Sequence, residues 1–105
     1  MRSKYIENKL DKMFQELSHN KLCAICGKGA NASHHIIRKG ESKLLRWDRK
    51  NALPVCLDCH RDIHDGKIDE YDYIPEERKM YLESKKNAIC KPDTEFYKQK
   101  EKELR

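Results

Sequence analysis

The sequence predicts a small α+β domain, in which two short strands and a helix are stapled by paired cysteines and flanked by N- and C-terminal helices. Three observations carry this prediction. Two pairs of identical spacing, Cys23-x-x-Cys26 and Cys56-x-x-Cys59, lie in a block from residue 23 to residue 66 that also holds four of the five histidines. The segment before the block, residues 1–22, repeats apolar residues at helical spacing, and the segment after it, residues 67–105, is charged and carries two helix-start signals.

Taken in order, Ile6, Leu10, Met13, Phe14 and Leu17 make one apolar stripe, with Lys and Glu opposite, so the chain opens on an amphipathic helix. Within the block, His35-Ile36-Ile37-Arg38 is predicted to be a short strand closing at Gly40. Leu53-Pro54-Val55 is a second strand, where Pro54 requires an edge or a strand end. A short helix follows from about Cys56 to Asp65 and stops at Gly66. Pro75, followed by Glu76 and Glu77, starts another helix that runs to about Ala88, with Tyr81 and Leu82 inward. Pro92-Asp93 starts a last, polar helix. Tyr71 and Tyr73 read as packing anchors in the linker, and Trp47, beside Leu44 and Leu45, reads as core.

Composition sets the limits. The 105 residues are 37% hydrophobic and 39% charged, with a mean hydropathy of −1.04. Such a short, polar chain needs a staple besides apolar burial. No apolar run is long enough for a membrane-spanning helix, and the first 20 residues lack the apolar stretch of a secretory signal. A cytoplasmic setting is therefore expected, with no membrane partner, and closely spaced cysteines there are read as metal ligands rather than disulfides. Gly27, Gly29, Gly40 and Gly66 are not spaced to build a phosphate-binding loop. The net charge is +5, and the stretch 38–50 alone is +4, with Arg38, Lys39, Lys43, Arg46, Arg49 and Lys50 against Glu41 and Asp48. A polyanionic partner would be met there.

Two CxxC turns can aim four thiolates at one ion and complete a tetrahedron, so Cys23, Cys26, Cys56 and Cys59 read as a closed, structural zinc site. The alternatives are a redox CxxC, and a site mixing three of these cysteines with His34, His60 or His64. Cys90 is left over. His60 and His64, at i and i+4, project from one helix face and can share a metal, although two solvated histidines would have the same spacing. His34 and His35 are adjacent, so on a strand they point to opposite faces. If His34 joins the pair, three imidazoles hold an ion with positions to spare, and His35 stands beside it as a base. That is a hydrolytic metal site.

His34-His35-Ile36-Ile37 followed by Asn51-Ala-Leu-Pro-Val-Cys56-x-x-Cys59-His60-x-x-x-His64 resembles the HNH endonucleases of the ββα-metal (His-Me finger) superfamily. The double histidine with the i+4 pair looks like the variant in colicin-type DNases. The four-cysteine site looks like that of phage and bacterial HNH proteins. The resemblance, over residues 23–66, implies a ββα-metal core and metal-dependent hydrolysis of DNA, leaving 5′-phosphate and 3′-hydroxyl ends. It implies that His34, His60 and His64 hold one catalytic divalent cation (Mg²⁺, Mn²⁺, Ni²⁺, Co²⁺ or Zn²⁺), and that His35 is the general base. Asn51 would restrain the segment carrying His35 through a hydrogen bond that fixes the ring. The basic residues of 38–50 would contact phosphates beside the scissile bond. One site per chain cuts one strand, so a monomer would nick and a homodimer could cut both. The alternatives are a non-catalytic zinc-dependent DNA-binding module, and an HNH nuclease acting on RNA or structured nucleic acid.

Overall fold

The computed structural model describes residues 2–105, with side chains described from Lys4 onward. Its elements are α1 (Arg2–Glu16), β1 (Ala32–His35), α2 (Lys43–Arg46), a 3-10 turn (Arg49–Asn51), β2 (Ala52–Val55), α3 (Leu57–His64), a 3-10 helix (Glu70–Tyr73), α4 (Glu76–Lys85) and α5 (Thr94–Leu104). The fold is thus α+β, with five α-helices around one two-stranded antiparallel sheet. No helix among the described residues is long and apolar enough to cross a membrane.

The first strand differs from its prediction. Its sequence is Ala32-Ser33-His34-His35, three residues before the expected span, and its register pairs Ala32 with Val55, Ser33 with Pro54, His34 with Leu53 and His35 with Ala52. Ile36 and Ile37, whose apolar character suggested a strand, lie in a bend with both side chains buried. The strand forms despite its polar residues because Gln15 of α1 closes its outer edge. The Gln15 amide donates to the Ser33 carbonyl at 3.0 Å and accepts from the Ser33 N–H at 2.9 Å. That outward orientation also accommodates Pro54, which has no N–H to offer Ser33 across the sheet. The Pro54 carbonyl faces away as well and accepts from the Ala24 N–H at 2.8 Å.

Helix α3 begins at Cys56, whose sulfur accepts from the Cys59 N–H. It ends where Gly66 takes φ +77°, a left-handed turn without strain for glycine. Pro75 caps α4 from outside, one residue earlier than the first helical position, and α4 ends at Lys85 rather than near Ala88. The Asp93 carboxylate caps α5 by accepting from the Phe96 N–H at 2.9 Å.

Two apolar clusters form. One gathers the first and second cysteine turns, Ile36, Ile37, Leu45, Leu53, Val55, Ile63, Ile74 and Leu82, with Tyr71 and Tyr81 against it. The other joins α1, α5 and the centre of the chain through Leu10, Phe14, Trp47, Ala52, Tyr97 and Leu104. Trp47 is fully buried, as expected, and its indole N–H donates to Asp11 at 2.8 Å. Tyr71 packs as expected, whereas Tyr73, also expected as an anchor, is 44% exposed and joins neither cluster. The flanking helices therefore complete the core rather than trail from it: ion pairs from Lys9 to Glu101 and from Lys43 to Glu7 tie α1 to α5 and α2.

Candidate active site

The two cysteine turns meet at one point. The sulfurs of Cys23, Cys26, Cys56 and Cys59 all lie within 4.8 Å of one another, and Cys26 and Cys56 are 3.6 Å apart. Tetrahedral zinc with Zn–S bonds of about 2.3 Å requires sulfur separations of about 3.8 Å, so four cysteines here could hold a zinc ion. No disulfide joins them. Gly27, at φ +80°, turns the first knuckle back so that Leu22 bridges Gly29, while Val55 leads β2 directly into the second. The charges are consistent with a cation's place. Burial raises the Cys23 thiol, but N–H donors of Cys26, Cys56 and Ile25 bring it down to about 6, and burial together with the neighbouring sulfurs pushes Cys59 up.

A second cluster lies on the next face of α3. One nitrogen from each of His34, His60 and His64 falls within 4.8 Å of the others, and the Nε2 atoms of His60 and His64 are 3.1 Å apart. The His34 ring stands edge-on to both, with centroids 5.2 and 5.4 Å away. Nitrogen ligands about 2.1 Å from an ion sit roughly 3.0–3.4 Å from one another, so the three histidines could hold a metal ion. Burial, opposed by the Glu70 carboxylate and reinforced by His60 and Arg38, holds His34 down to about 4, and burial, then His64 and Arg38, lowers His60. A cleft of about 300 Å³ opens over the cluster, lined by Gln15, Ser33, His35, Arg38, Lys39 and Gly40 besides the three histidines.

His35 also lines the cleft and is fixed by two contacts. Its Nε2 lies 2.9 Å from the Arg46 carbonyl, which can only accept, so Nε2 carries the proton and Nδ1 the lone pair. Its ring also stacks on Phe14 of α1 at 4.1 Å and 12°. Burial lowers its proton affinity, partly offset by the Arg46 carbonyl and Asp11. Asn51 is fully buried, and its hydrogen bonds run to backbone groups and not to the His35 ring. It accepts from the Ile37 N–H at 2.7 Å and donates to the carbonyls of Ile37 and Leu45 at 3.0 and 3.1 Å. Asn51 therefore clamps the bend after His35 to the helix that presents the Arg46 carbonyl, and the carbonyl orients the ring. The restraint acts on the backbone just after His35 and not on the ring itself.

The structure separates the six basic residues. Arg38 and Lys39 are exposed and line the histidine cleft. Arg46 instead forks onto Asp11 at 2.7 and 3.1 Å and lies over Trp47, while Lys43 pairs with Glu7. Arg49 donates to the Glu103 and Arg105 carbonyls at the end of α5, and Lys50 lies over the Tyr81 ring. Four residues of the cleft and its support escaped sequence reading. Phe14, Gln15 and Asp11 were visible only as parts of a helix pattern. Glu70, which contacts His34, is one of ten acidic residues after Gly66 and has no distinguishing spacing.

No family model matches the chain, and no solved structure matches it. A curated protein is similar: over a 65-residue alignment covering 56% of this chain, the identity is 43% to a mitochondrial DNA mismatch repair protein mutS homolog from Sarcophyton glaucum. The matched stretch is 7% of that protein's length, so the likeness is to a small piece of a much longer chain. That piece resembles part of a protein whose name is tied to DNA repair.

Proposed function

We propose that this chain is a metal-dependent HNH endonuclease that hydrolyses DNA phosphodiester bonds, with a structural zinc at the four cysteines. The observation carrying the reading is the pinned His35, whose proton-bearing Nε2 is held by a carbonyl beside three clustered histidines. A half-buried histidine in a merely structural role does not require a lone pair kept free at a basic cleft. When bound at His34, His60 and His64, a divalent cation supplies positive charge for the scissile phosphate and the departing oxygen.

The chain's own residues supply the rest. Arg38 and Lys39 attract the DNA backbone and hold phosphates at the cleft mouth. His35 Nδ1 removes a proton from water as its oxygen bonds to phosphorus, and the stacked Phe14 and the Arg46 carbonyl keep the ring in line. The bond from phosphorus to O3′ breaks, O3′ leaves with the electron pair and takes a proton from solvent, and the products are a 5′-phosphate and a 3′-hydroxyl. A single site of this kind nicks one strand. Similarity to a stretch of a DNA mismatch repair protein supports DNA over RNA as the substrate.

The test is conversion of supercoiled plasmid to open circles by the purified protein with Mg²⁺, Mn²⁺, Ni²⁺ or Co²⁺, and its arrest by EDTA. His35→Ala should abolish nicking while keeping the fold and one zinc per chain. Failure of the wild-type protein to cut any nucleic acid with these ions overturns the enzyme reading, and retained DNA binding would then favour the non-catalytic module. Cutting confined to RNA would overturn the substrate.

A further inference from the structure

We propose that Glu70 is a positioning residue for the histidine cluster: its carboxylate accepts a hydrogen bond from His34 Nε2–H and leaves His34 Nδ1 as the atom that donates to a divalent cation. The inference rests on reading His34, His60 and His64 as a cation site, and it places part of that site beyond the block from 23 to 66.

Glu70 begins the 3-10 helix Glu70–Tyr73, whose turn is set by Asp69 accepting from the Tyr71 N–H at 3.0 Å. Its Oε1 lies 3.3 Å from His34 Nε2, and the two side chains are only 13% and 1% exposed. A carboxylate this sheltered is not a solvated surface charge that happens to pass a histidine. The Glu70 carboxylate does not belong to the group of donor atoms gathered within 4.8 Å, as expected of a partner to His34 and not a fourth ligand.

The chemistry follows from the imidazole ring. A neutral histidine has one N–H and one lone pair, and a carboxylate at Nε2 selects the tautomer with the proton there. The lone pair then resides on Nδ1, made more basic by the charge behind the ring, and the hydrogen bond stops ring rotation. His60 and His64 lack such a partner in the described structure and contact each other instead. His34 would thus be the pre-set member, to which the two helix histidines add on binding.

Two measurements on the full-length, zinc-loaded protein test this. Long-range proton–nitrogen correlation spectra of the wild-type protein should show His34 as the Nε2–H tautomer. Calorimetric titration with Ni²⁺ should show affinity about 10–100-fold weaker in Glu70→Ala. Glu70→Gln, of equal size with a neutral acceptor, should lose less, with a urea midpoint like that of wild type. An Nδ1–H tautomer at His34 would overturn the proposal, since Nε2 would then face the cation. So would a Glu70→Ala dissociation constant within twofold of wild type. Both results leave the nuclease reading standing if Ni²⁺ binds and plasmid is cut, whereas a wild-type protein that binds no Ni²⁺ beyond the cysteines refutes the cation site itself.

Discussion

Replacing Asn51 by Asp changes almost no volume, yet it should be among the most damaging substitutions in the protein. The side chain is fully buried and makes three hydrogen bonds to backbone groups. Aspartate keeps one, the acceptor for the Ile37 N–H, but turns a carboxylate oxygen toward the carbonyls of Ile37 and Leu45, which lose their donor. Each buried polar group left without a partner costs ~1–3 kcal/mol, and an unpaired buried charge costs more. The expected loss is therefore about 4 kcal/mol, against a total stability on the order of 5–15 kcal/mol for a domain. With a urea slope of ~1–2 kcal/mol per molar, the unfolding midpoint should fall by about 2–4 M. Urea titration by circular dichroism of zinc-loaded wild type and Asn51→Asp, at pH 7.5, measures this. Plasmid nicking below the transition should be lost as well, because the clamp that sets the Arg46 carbonyl under His35 has gone. A stability within ~0.5 kcal/mol of wild type would refute the clamp.

Phe14→Leu keeps apolar bulk but removes the ring stacked on His35, and aromatic pairing is worth ~0.5–1.5 kcal/mol. The turnover number should drop by up to about tenfold with KM for plasmid little changed, and an unchanged turnover number would show that the stack does not position the base. Cys23→Ser should abolish zinc retention, measured by atomic absorption, and unfold the domain. A folded, zinc-free variant would contradict a structural role for the site. Burial lowers the proton affinity of His35 below the ordinary value of about 6.5, so the neutral base persists to lower pH. Activity measured as kcat/KM at saturating metal should therefore keep more than half its pH 7.5 value at pH 6.5, and an ascending limb centred above pH 7 would contradict it.

Much of the site was legible because its spacing is local. Cys56, Cys59, His60 and His64 are read from one short helix, where the helical period alone assigns faces, and Gly66 marks its end. The adjacent pair His34-His35 could be divided between two faces by the alternation of a strand, although the strand itself lies three residues earlier than its apolar neighbours suggested. Apolar patterning misplaced it because Ser33 is buried through hydrogen bonds to Gln15 and Ser18 and not through hydrophobicity. The basic stretch was a weaker guide. Charge counting cannot tell Arg38 and Lys39 at the cleft from Arg46, whose guanidinium answers Asp11 across 35 residues.

By itself the sequence determined which atoms can bind metal and which nitrogen-bearing residues stand next to one another, because ligand chemistry and short-range periodicity are properties of residue type and spacing. Tertiary structure decided how His35 is held. Phe14 from α1, the Arg46 carbonyl from α2 and the Asn51 clamp come from separate segments, as does Glu70 behind His34. None has a spacing rule, since contacts between distant segments arise only when the two apolar clusters close and bring α1 and the residues after Gly66 against the small sheet.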